Sequence, residues 1–144
     1  GSEISNTPEN GYVYIEIKDK ADIELLLDGT PRFIRASCKV PRLSGMAALM
    51  RGPLVYCFEG ADNGSVRELR LDRSMIPSVS DFIPGLLGGT VRLTTKAYRI
   101  HDCEDIYSSE PEKITPCEAV AVPYYTWGNR GENEMRVWMN VGDL

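Results

Sequence analysis

Residues 46–60 read Met-Ala-Ala-Leu-Met-Arg-Gly-Pro-Leu-Val-Tyr-Cys-Phe-Glu-Gly and form the most continuously apolar stretch of this 144-residue chain. Residues 54–58 carry no charge and include Val, Tyr and Phe, a composition typical of a strand buried in a packed sheet. Pro53 has no N–H to donate to a sheet ladder, so residues 51–53 are predicted to form a bulge or corner. The stretch therefore predicts two short strands at the centre of a β-rich domain.

The region before this stretch predicts three further strands. Residues 12–18 alternate apolar and polar side chains with a period of two, which is typical of a half-buried strand. Val13, Ile15 and Ile17 form its apolar face. A polar turn at residues 19–22 leads to a second strand at residues 23–27, so the two strands are predicted to form a hairpin. The turn dipeptide Asp28-Gly29 ends the second strand. Residues 32–38 predict a third strand.

The region after residue 60 predicts short strands separated by loops. Charge-rich residues 66–71 are predicted to form an edge strand, and the Pro- and Gly-rich residues 74–89 a loop. The remaining predictions are a strand at 90–98, an exposed acidic loop at 101–116, and strands at 118–123 and 134–141. Eight or nine short strands without a helical period predict an all-β, antiparallel sandwich of the jelly-roll type.

The composition indicates one ordinary globular domain, with 42% apolar and 26% charged residues. Gly1-Ser2 resembles the remnant of an affinity tag, so residues 1–10 are predicted to be tag and linker, and residues 11–144 one domain excised from a larger protein. The net charge of -5 argues against nucleic-acid binding. No apolar run is long enough to span a membrane. No signal peptide is recognisable, and a cytoplasmic location is favoured over a periplasmic or secreted one.

The candidate catalytic and metal-binding groups are weak. Cys38, Cys57, Cys103 and Cys117 lack the close spacing of zinc-binding pairs and are predicted to be free thiols. Asp102, Glu104 and Asp105 could supply the two carboxylates of a glycoside hydrolase, but a solvated acidic loop is favoured because it offers neither fixed separation nor a raised pKa. The run His101-Asp102-Cys103-Glu104 alternates faces, so at most two of its side chains could reach one ion. We expect no catalytic, cofactor-binding or metal-binding residue here.

The segment at residues 122–131 is the best candidate for a contact surface. Tyr124, Tyr125 and Trp127 follow a predicted strand, with Arg130 nearby. Exposed aromatic faces would indicate sugar binding. Packing of the rings on the sandwich or on a neighbouring domain, with Arg130 stacked or ion-paired, is the favoured alternative because large rings are more often buried than displayed.

Two motifs resemble a known family. They are Arg-Gly-Pro-Leu-Val-Tyr-Cys-Phe-Glu at residues 51–59 and Val-Pro-Tyr-Tyr-Thr-Trp-Gly-Asn-Arg-Gly-Glu-Asn-Glu-Met-Arg-Val-Trp at residues 122–138. Together with residues 11–16 and 86–94, they resemble the C-terminal β-sandwich region of glycoside hydrolase family 127. This is the β-L-arabinofuranosidase family, earlier catalogued as DUF1680. The likeness runs from about residue 11 to residue 141.

The resemblance implies a non-catalytic accessory domain. Full-length family members carry their active site, with a cysteine nucleophile and a zinc ion, in an N-terminal (α/α)6 barrel, and no part of this chain matches that barrel. The implied function is packing on the barrel of the same polypeptide through Tyr124, Tyr125, Trp127 and Arg130. A carbohydrate-binding module using the same aromatic residues is the alternative, and exposed docking surface would favour a homodimer of the free chain.

Overall fold

The computed structural model describes residues 7–101 and 106–142. That part of the chain contains nine strands and one short helix, α1 (Gly60–Asn63). The strands are β1 (Pro31–Arg35), β2 (Met46–Arg51), β3 (Leu54–Glu59), β4 (Leu69–Asp72), β5 (Ser78–Val79), β6 (Leu93–His101), β7 (Lys113–Pro123), β8 (Met135–Arg136) and β9 (Met139–Gly142). Three 3₁₀ turns lie at Pro41–Leu43, Val66–Glu68 and Tyr124–Thr126. No helix in the described ranges reaches the length and apolarity needed to cross a bilayer.

The sheet closes on itself. Neighbouring strands follow the order β2, β9, β4, β6, β7 and β3, and β3 then pairs with β2 to complete a ring. Strands β1, β8 and β5 extend this ring at β2, β3 and β6. The all-β sandwich prediction is confirmed, and the closure gives it a barrel-like shape. The sheet is mixed, because β4 and β9 run parallel while the other pairs are antiparallel.

The β2–β3 hairpin is formed by the stretch that the sequence marks as central. Arg51 pairs with Leu54 across a two-residue loop, and Gly52 has φ +55°. A positive φ at the first loop position is what a type II′ turn requires. Pro53 occupies the second position, where no ladder hydrogen bond is lost. The predicted pair of short strands with a corner at residues 51–53 is therefore confirmed.

The core lies inside the ring and is built from aliphatic side chains together with the rings of Tyr56 and Phe58. Leu49 of β2 and Tyr56 and Phe58 of β3 are almost completely buried. The other strands of the ring contribute Leu69, Leu71, Leu93, Ala97, Ala119, Ala121 and Met139. Each strand of the ring therefore places apolar side chains inside the closed sheet, and the sheet alone buries them.

The predicted N-terminal hairpin is wrong. Residues 13–30 belong to no strand or helix, and Tyr12 makes only an isolated bridge to Glu9. Apolar side chains of this segment are exposed, including Leu26 at 85%. Alternating apolar residues form a strand only where a partner supplies hydrogen bonds and a surface to cover. The described chain supplies neither, although residues 1–6 of the predicted linker lie outside the described ranges.

The predicted edge strand at residues 66–71 is also wrong. It begins with a 3₁₀ turn, and β4 then lies between β9 and β6 inside the ring. Leu69 and Leu71 are fully buried, whereas Arg70 and Asp72 point outward and are only partly covered. The alternating charges that suggested an edge therefore mark the outer face of an interior strand.

Several other strand boundaries differ from prediction. Residues 113–116, predicted as loop, belong to β7, which pairs with β6 from Leu93↔Ala121 to His101↔Lys113. The predicted last strand is split into β8 and β9. The predicted strands at 32–38 and 90–98 appear as β1 and β6 with shifted ends, and residues 74–89 form the predicted loop apart from β5.

The cysteines within the described ranges are free thiols, as predicted. Cys38 is exposed, Cys117 is partly covered, and Cys57 is fully buried. Burial, followed by the negative charge of Glu59, raises the pKa of the Cys57 thiol to about 12. In the unfolded chain this thiol would ionise near its ordinary pKa of 9. Burial of the neutral Cys57 thiol therefore contributes its full stability below pH 9, and this contribution is lost as the pH rises toward 12. Cys103 lies outside the described residues.

The burial of Cys57 predicts selective alkylation. At pH 9.5, iodoacetamide should modify Cys38 and leave Cys57 unmodified, because only a thiolate that solvent can reach reacts quickly. Peptide mass mapping before and after unfolding in guanidinium measures both sites. Modification of Cys57 at the rate of Cys38 in the folded protein would contradict its burial inside β3.

The interior position of β4 predicts a large effect of truncating Leu71. We expect Leu71→Ala to lower the free energy of unfolding by about 2–5 kcal/mol, because it opens a cavity in the core. Ile76→Ala is the matched control, since Ile76 is 73% exposed, and it should change stability by less than about 0.5 kcal/mol. Urea denaturation measures both, and similar values for the two variants would contradict the burial of Leu71 in the core.

Candidate functional site

The aromatic segment lies on a turn whose backbone is held in place. Strand β7 ends at Pro123, which pairs with Tyr56 of β3, and the 3₁₀ turn Tyr124–Thr126 follows directly. The buried Thr126 hydroxyl donates a hydrogen bond of 2.6 Å to the Pro123 carbonyl. The Asn129 side-chain amide donates to the Thr126 carbonyl at 2.9 Å. These bonds fix the path of the turn independently of its aromatic side chains.

The three aromatic side chains of this turn face solvent. Tyr124 is 45% exposed, Tyr125 63% and Trp127 47%. The rings of Tyr124 and Trp127 stack on each other, with centroids 6.1 Å apart and planes inclined by 14°. About half of the surface of these rings is therefore exposed in this chain. Packing of the rings on the sandwich or on a neighbouring domain stays a prediction.

Arg130 fixes the aromatic turn to the domain through the carboxylates of Glu59 and Asp62. Its guanidinium contacts the fully buried Glu59 carboxylate through both Nε, at 2.9 Å, and Nη2. Nη2 also donates to Asp62 Oδ2 at 2.6 Å. The Gly128 N–H lies 3.4 Å from the other Glu59 oxygen. Of the two alternatives predicted for Arg130, stacked or ion-paired, the structure shows the ion pair. Its part in docking or sugar contact stays a prediction.

The charges of this network balance one another. Asp62 also faces Arg92, with 3.5 Å between Oδ1 and Nη2, so two arginines meet two carboxylates. The hydrogen bonds from Arg130 to Asp62 and Glu59 raise the pKa of Arg130 above its usual value. The guanidinium therefore stays charged, and Glu59 is not left as an unpaired buried charge.

Helix α1 places Asp62 in this network. The Asn63 side-chain amide donates to the carbonyls of Glu59, at 2.8 Å, and Val120, at 2.9 Å, while the Val120 N–H donates to Asn63 Oδ1 at 2.8 Å. This single side chain locks the helical turn onto β7. Sequence reasoning missed Glu59 and Asp62. The available signal was an acidic residue at the end of the most apolar strand, where a carboxylate must find a cationic partner.

The other predicted candidates form no site among the described residues. Asp102, Cys103, Glu104 and Asp105 lie outside those residues. His101 ends β6, with Nε2 2.9 Å from the Thr115 hydroxyl. No group of three or more His, Cys, Asp or Glu side chains in residues 7–101 and 106–142 is arranged to hold a metal ion. The expected lack of a metal or cofactor in this chain stays a prediction.

Comparisons with known proteins give a consistent result. The family described as "Glycoside hydrolase family 127 C-terminal domain" matches residues 31–140. The chain is 38% identical over 140 residues to a non-reducing end beta-L-arabinofuranosidase of Bifidobacterium longum, a match that covers 90% of the chain and 21% of the relative.

Solved structures agree with this match. A GH127 beta-L-arabinofuranosidase from Geobacillus stearothermophilus T6 superposes with a TM-score of 0.72 at 37% identity, covering 78% of this chain and 18% of the other. A GH127 beta-arabinofuranosidase superposes with a TM-score of 0.66 at 32% identity, covering 78% and 17%. The chain therefore spans about a fifth of the length of the relatives that it matches.

The buried ion pair predicts that Arg130 is important for stability. Arg130→Ala should cost about 3–5 kcal/mol, because it leaves the Glu59 carboxylate buried without its partner. Arg67→Ala is the matched control, since the Arg67–Glu134 pair at 3.0 Å is largely exposed, and it should cost less than about 1 kcal/mol. Urea denaturation measures both. The double variant Glu59→Gln with Arg130→Met should be more stable than Arg130→Met alone, because it leaves no unpaired charge at residue 59. The reverse order would show that the loss of the ion pair does not cause the destabilisation.

Proposed function

The chain belongs to the glycoside hydrolase family 127 C-terminal domain family, and from that premise we propose that it serves a β-L-arabinofuranosidase-like glycoside hydrolase as a non-catalytic accessory domain. Its role would be to pack on an (α/α)6 catalytic barrel of the same polypeptide and stabilise it. The zinc ion and the catalytic groups would belong to that barrel, and the proposed location of the whole enzyme is the cytoplasm.

The observation that carries the docking role is the group of exposed rings on a fixed turn. Tyr124, Tyr125 and Trp127 lie within four residues, and the buried contacts of Thr126 and Arg130 hold the turn in place. Exposed aromatic residues in rigid positions supply large apolar contact areas at a small cost in conformational entropy, so they are enriched at interfaces. Ordering of this surface before docking would favour tight contact.

The two acidic groups beneath the aromatic turn support a non-catalytic role. Hydrolysis of a glycosidic bond needs two carboxyl groups that face the substrate, one of them able to donate a proton. Glu59 is fully buried and bonded to Arg130, and Asp62 is shared between Arg130 and Arg92. Both carboxylates are thus occupied by cations below the surface, where neither can reach a sugar.

A carbohydrate-binding module is the second candidate, and the ring geometry favours it specifically. The stacked rings of Tyr124 and Trp127 have nearly parallel planes, and each side chain is about half exposed. Sugar rings bind on exposed aromatic faces. The two candidates differ in what covers the rings, which is a protein surface in one and a sugar in the other.

The docking proposal predicts that Trp127→Ala acts only in the full-length enzyme. In this chain alone the variant should leave the unfolding midpoint nearly unchanged, because the ring is half-exposed. In the polypeptide that includes the barrel, it should lower the free energy of unfolding measured by urea denaturation by about 1–2 kcal/mol, as expected for a lost interface contact. Tyr107→Ala is the matched aromatic control, since Tyr107 is 92% exposed and distant in sequence.

The alternative is tested on the same chain with sugar. Arabinofuranosyl oligosaccharides are titrated into the chain while the amide resonances of residues 124–127 are followed by NMR. Saturable shifts that Trp127→Ala abolishes would establish a sugar-binding module and count against the docking role. No shift at millimolar sugar, with a Trp127→Ala effect confined to the full-length enzyme, would support docking.

A further inference from the structure

Residues 13–27 carry an apolar surface that the domain does not cover. Their aliphatic side chains are between 37% and 85% exposed, and they include Val13, Ile15, Ile17, Leu25, Leu26 and Leu27. No β-ladder joins these residues to another strand of the described chain. Scattered exposed aliphatic residues are ordinary, but so many within one short segment indicate an interface.

The segment has the sequence pattern of a strand but pairs with no sheet in the described chain. Val13, Ile15 and Ile17 recur with a period of two, and the rings of Tyr12 and Tyr14 lie side by side with centroids 6.5 Å apart. Side chains two residues apart meet on one face only when the backbone is extended. The alternation would place the aliphatic residues on one face of a sheet and Glu16 on the other.

The segment leaves the domain at a fixed point beside the β2–β3 turn. The Thr30 N–H donates to the Asp28 carboxylate at 2.9 Å. Gly29 lies against Arg51, so that a Cβ added there would meet the guanidinium at 3.0 Å. Only a residue without a side chain fits this contact without displacing Arg51. Residues 28–30 therefore belong to the domain surface, and the segment before them forms no ladder with that domain.

The matches with known proteins indicate where the missing partner lies. The match to the family domain begins at residue 31, so the segment lies outside the matched region. The match to the Bifidobacterium longum relative covers 90% of the chain, so it includes most of residues 13–27. A relative about five times as long therefore has a counterpart of this segment, together with a large amount of chain that could cover it.

We propose that residues 13–27 pair with a β-sheet located elsewhere in the same, longer polypeptide, adding strands to its edge and burying Val13, Ile15 and Ile17 in its core. The inference rests on the proposed function only in taking this chain as one part of a larger glycoside hydrolase. The partner is a sheet with an open edge, whose unpaired N–H and C=O groups match those of the segment, and with an apolar face beside that edge. The segment would thus tie the C-terminal domain to another β-domain of the enzyme.

Hydrogen exchange in two proteins tests this pairing. In this chain alone, the amides of residues 13–17 and 23–27 should exchange close to the rate of an unfolded peptide. In the full-length polypeptide they should exchange at least about a hundredfold more slowly, because ladder hydrogen bonds protect them. The amides of β6 serve as the internal reference, since they are paired in both proteins.

A pair of variants separates burial from general disturbance. Ile15→Glu should leave the denaturation midpoint of this chain unchanged and abolish the protection of residues 13–17 in the full-length polypeptide. Glu16→Lys is the matched control, because it changes charge on the opposite face of the same segment and should preserve the protection. Equal effects of the two variants in the full-length polypeptide would overturn the assignment of faces and with it the proposal.

The remaining outcomes each contradict the proposal in a distinct way. Rapid exchange of residues 13–27 in both proteins would show that no sheet accepts them. Protection in the monomeric free chain would show that they pack on their own domain. Protection that appears with a dimer of the free chain, and that Ile15→Glu abolishes together with the dimer, would assign them to a second copy. None of these readouts involves residues 124–127, so the docking proposal can fail while this one stands, and the reverse.

Discussion

The buried carboxylate of Glu59 is the constraint on which the candidate site depends. It lies at the end of β3 with no exposed surface, and an ionised group in such a place needs a cation within hydrogen-bonding distance. Arg130 meets that need from far along the chain and brings the segment after β7 back over the end of β3. The exposed positions of Tyr124, Tyr125 and Trp127 follow from this requirement, because the polypeptide between Pro123 and Arg130 has little freedom left.

Closure of the sheet provides the frame for that ion pair. Every strand of the ring is hydrogen-bonded on both sides, and β1, β5 and β8 lie alongside it. A ring avoids open edges and buries its apolar faces within a small domain. Strands β3 and β7 and helix α1 meet at one end of this ring, where Asn63 joins all three. The polar network is thus attached to two strands of the closed ring.

Local patterns in the sequence were sufficient for the central hairpin and the fold class. Gly52-Pro53 between two apolar runs predicts both strands and the turn, because those residues act through local backbone geometry. The interior position of β4 could not be predicted, since it depends on the parallel pairing with β9 from the opposite end of the chain. The Glu59–Arg130 pair is likewise non-local, and neither residue carries a short-range signal for the other. The prediction of a hairpin at residues 12–27 failed although these residues carry a clear strand pattern, because the described chain contains no partner strand for them.

The insertion of β9 between β2 and β4 has a consequence for the order of events during folding. Met46 and Ala47 of β2 pair with β9, and so does Arg70 of β4, which means that the ring has a gap until residues 139–142 are present. Pairings between residues so distant in sequence are slow to form, because the entropy of loop closure is lost before the contacts are gained. On the ribosome, the β2–β3 and β6–β7 hairpins can form early, while the closed barrel must wait until the final strand has emerged.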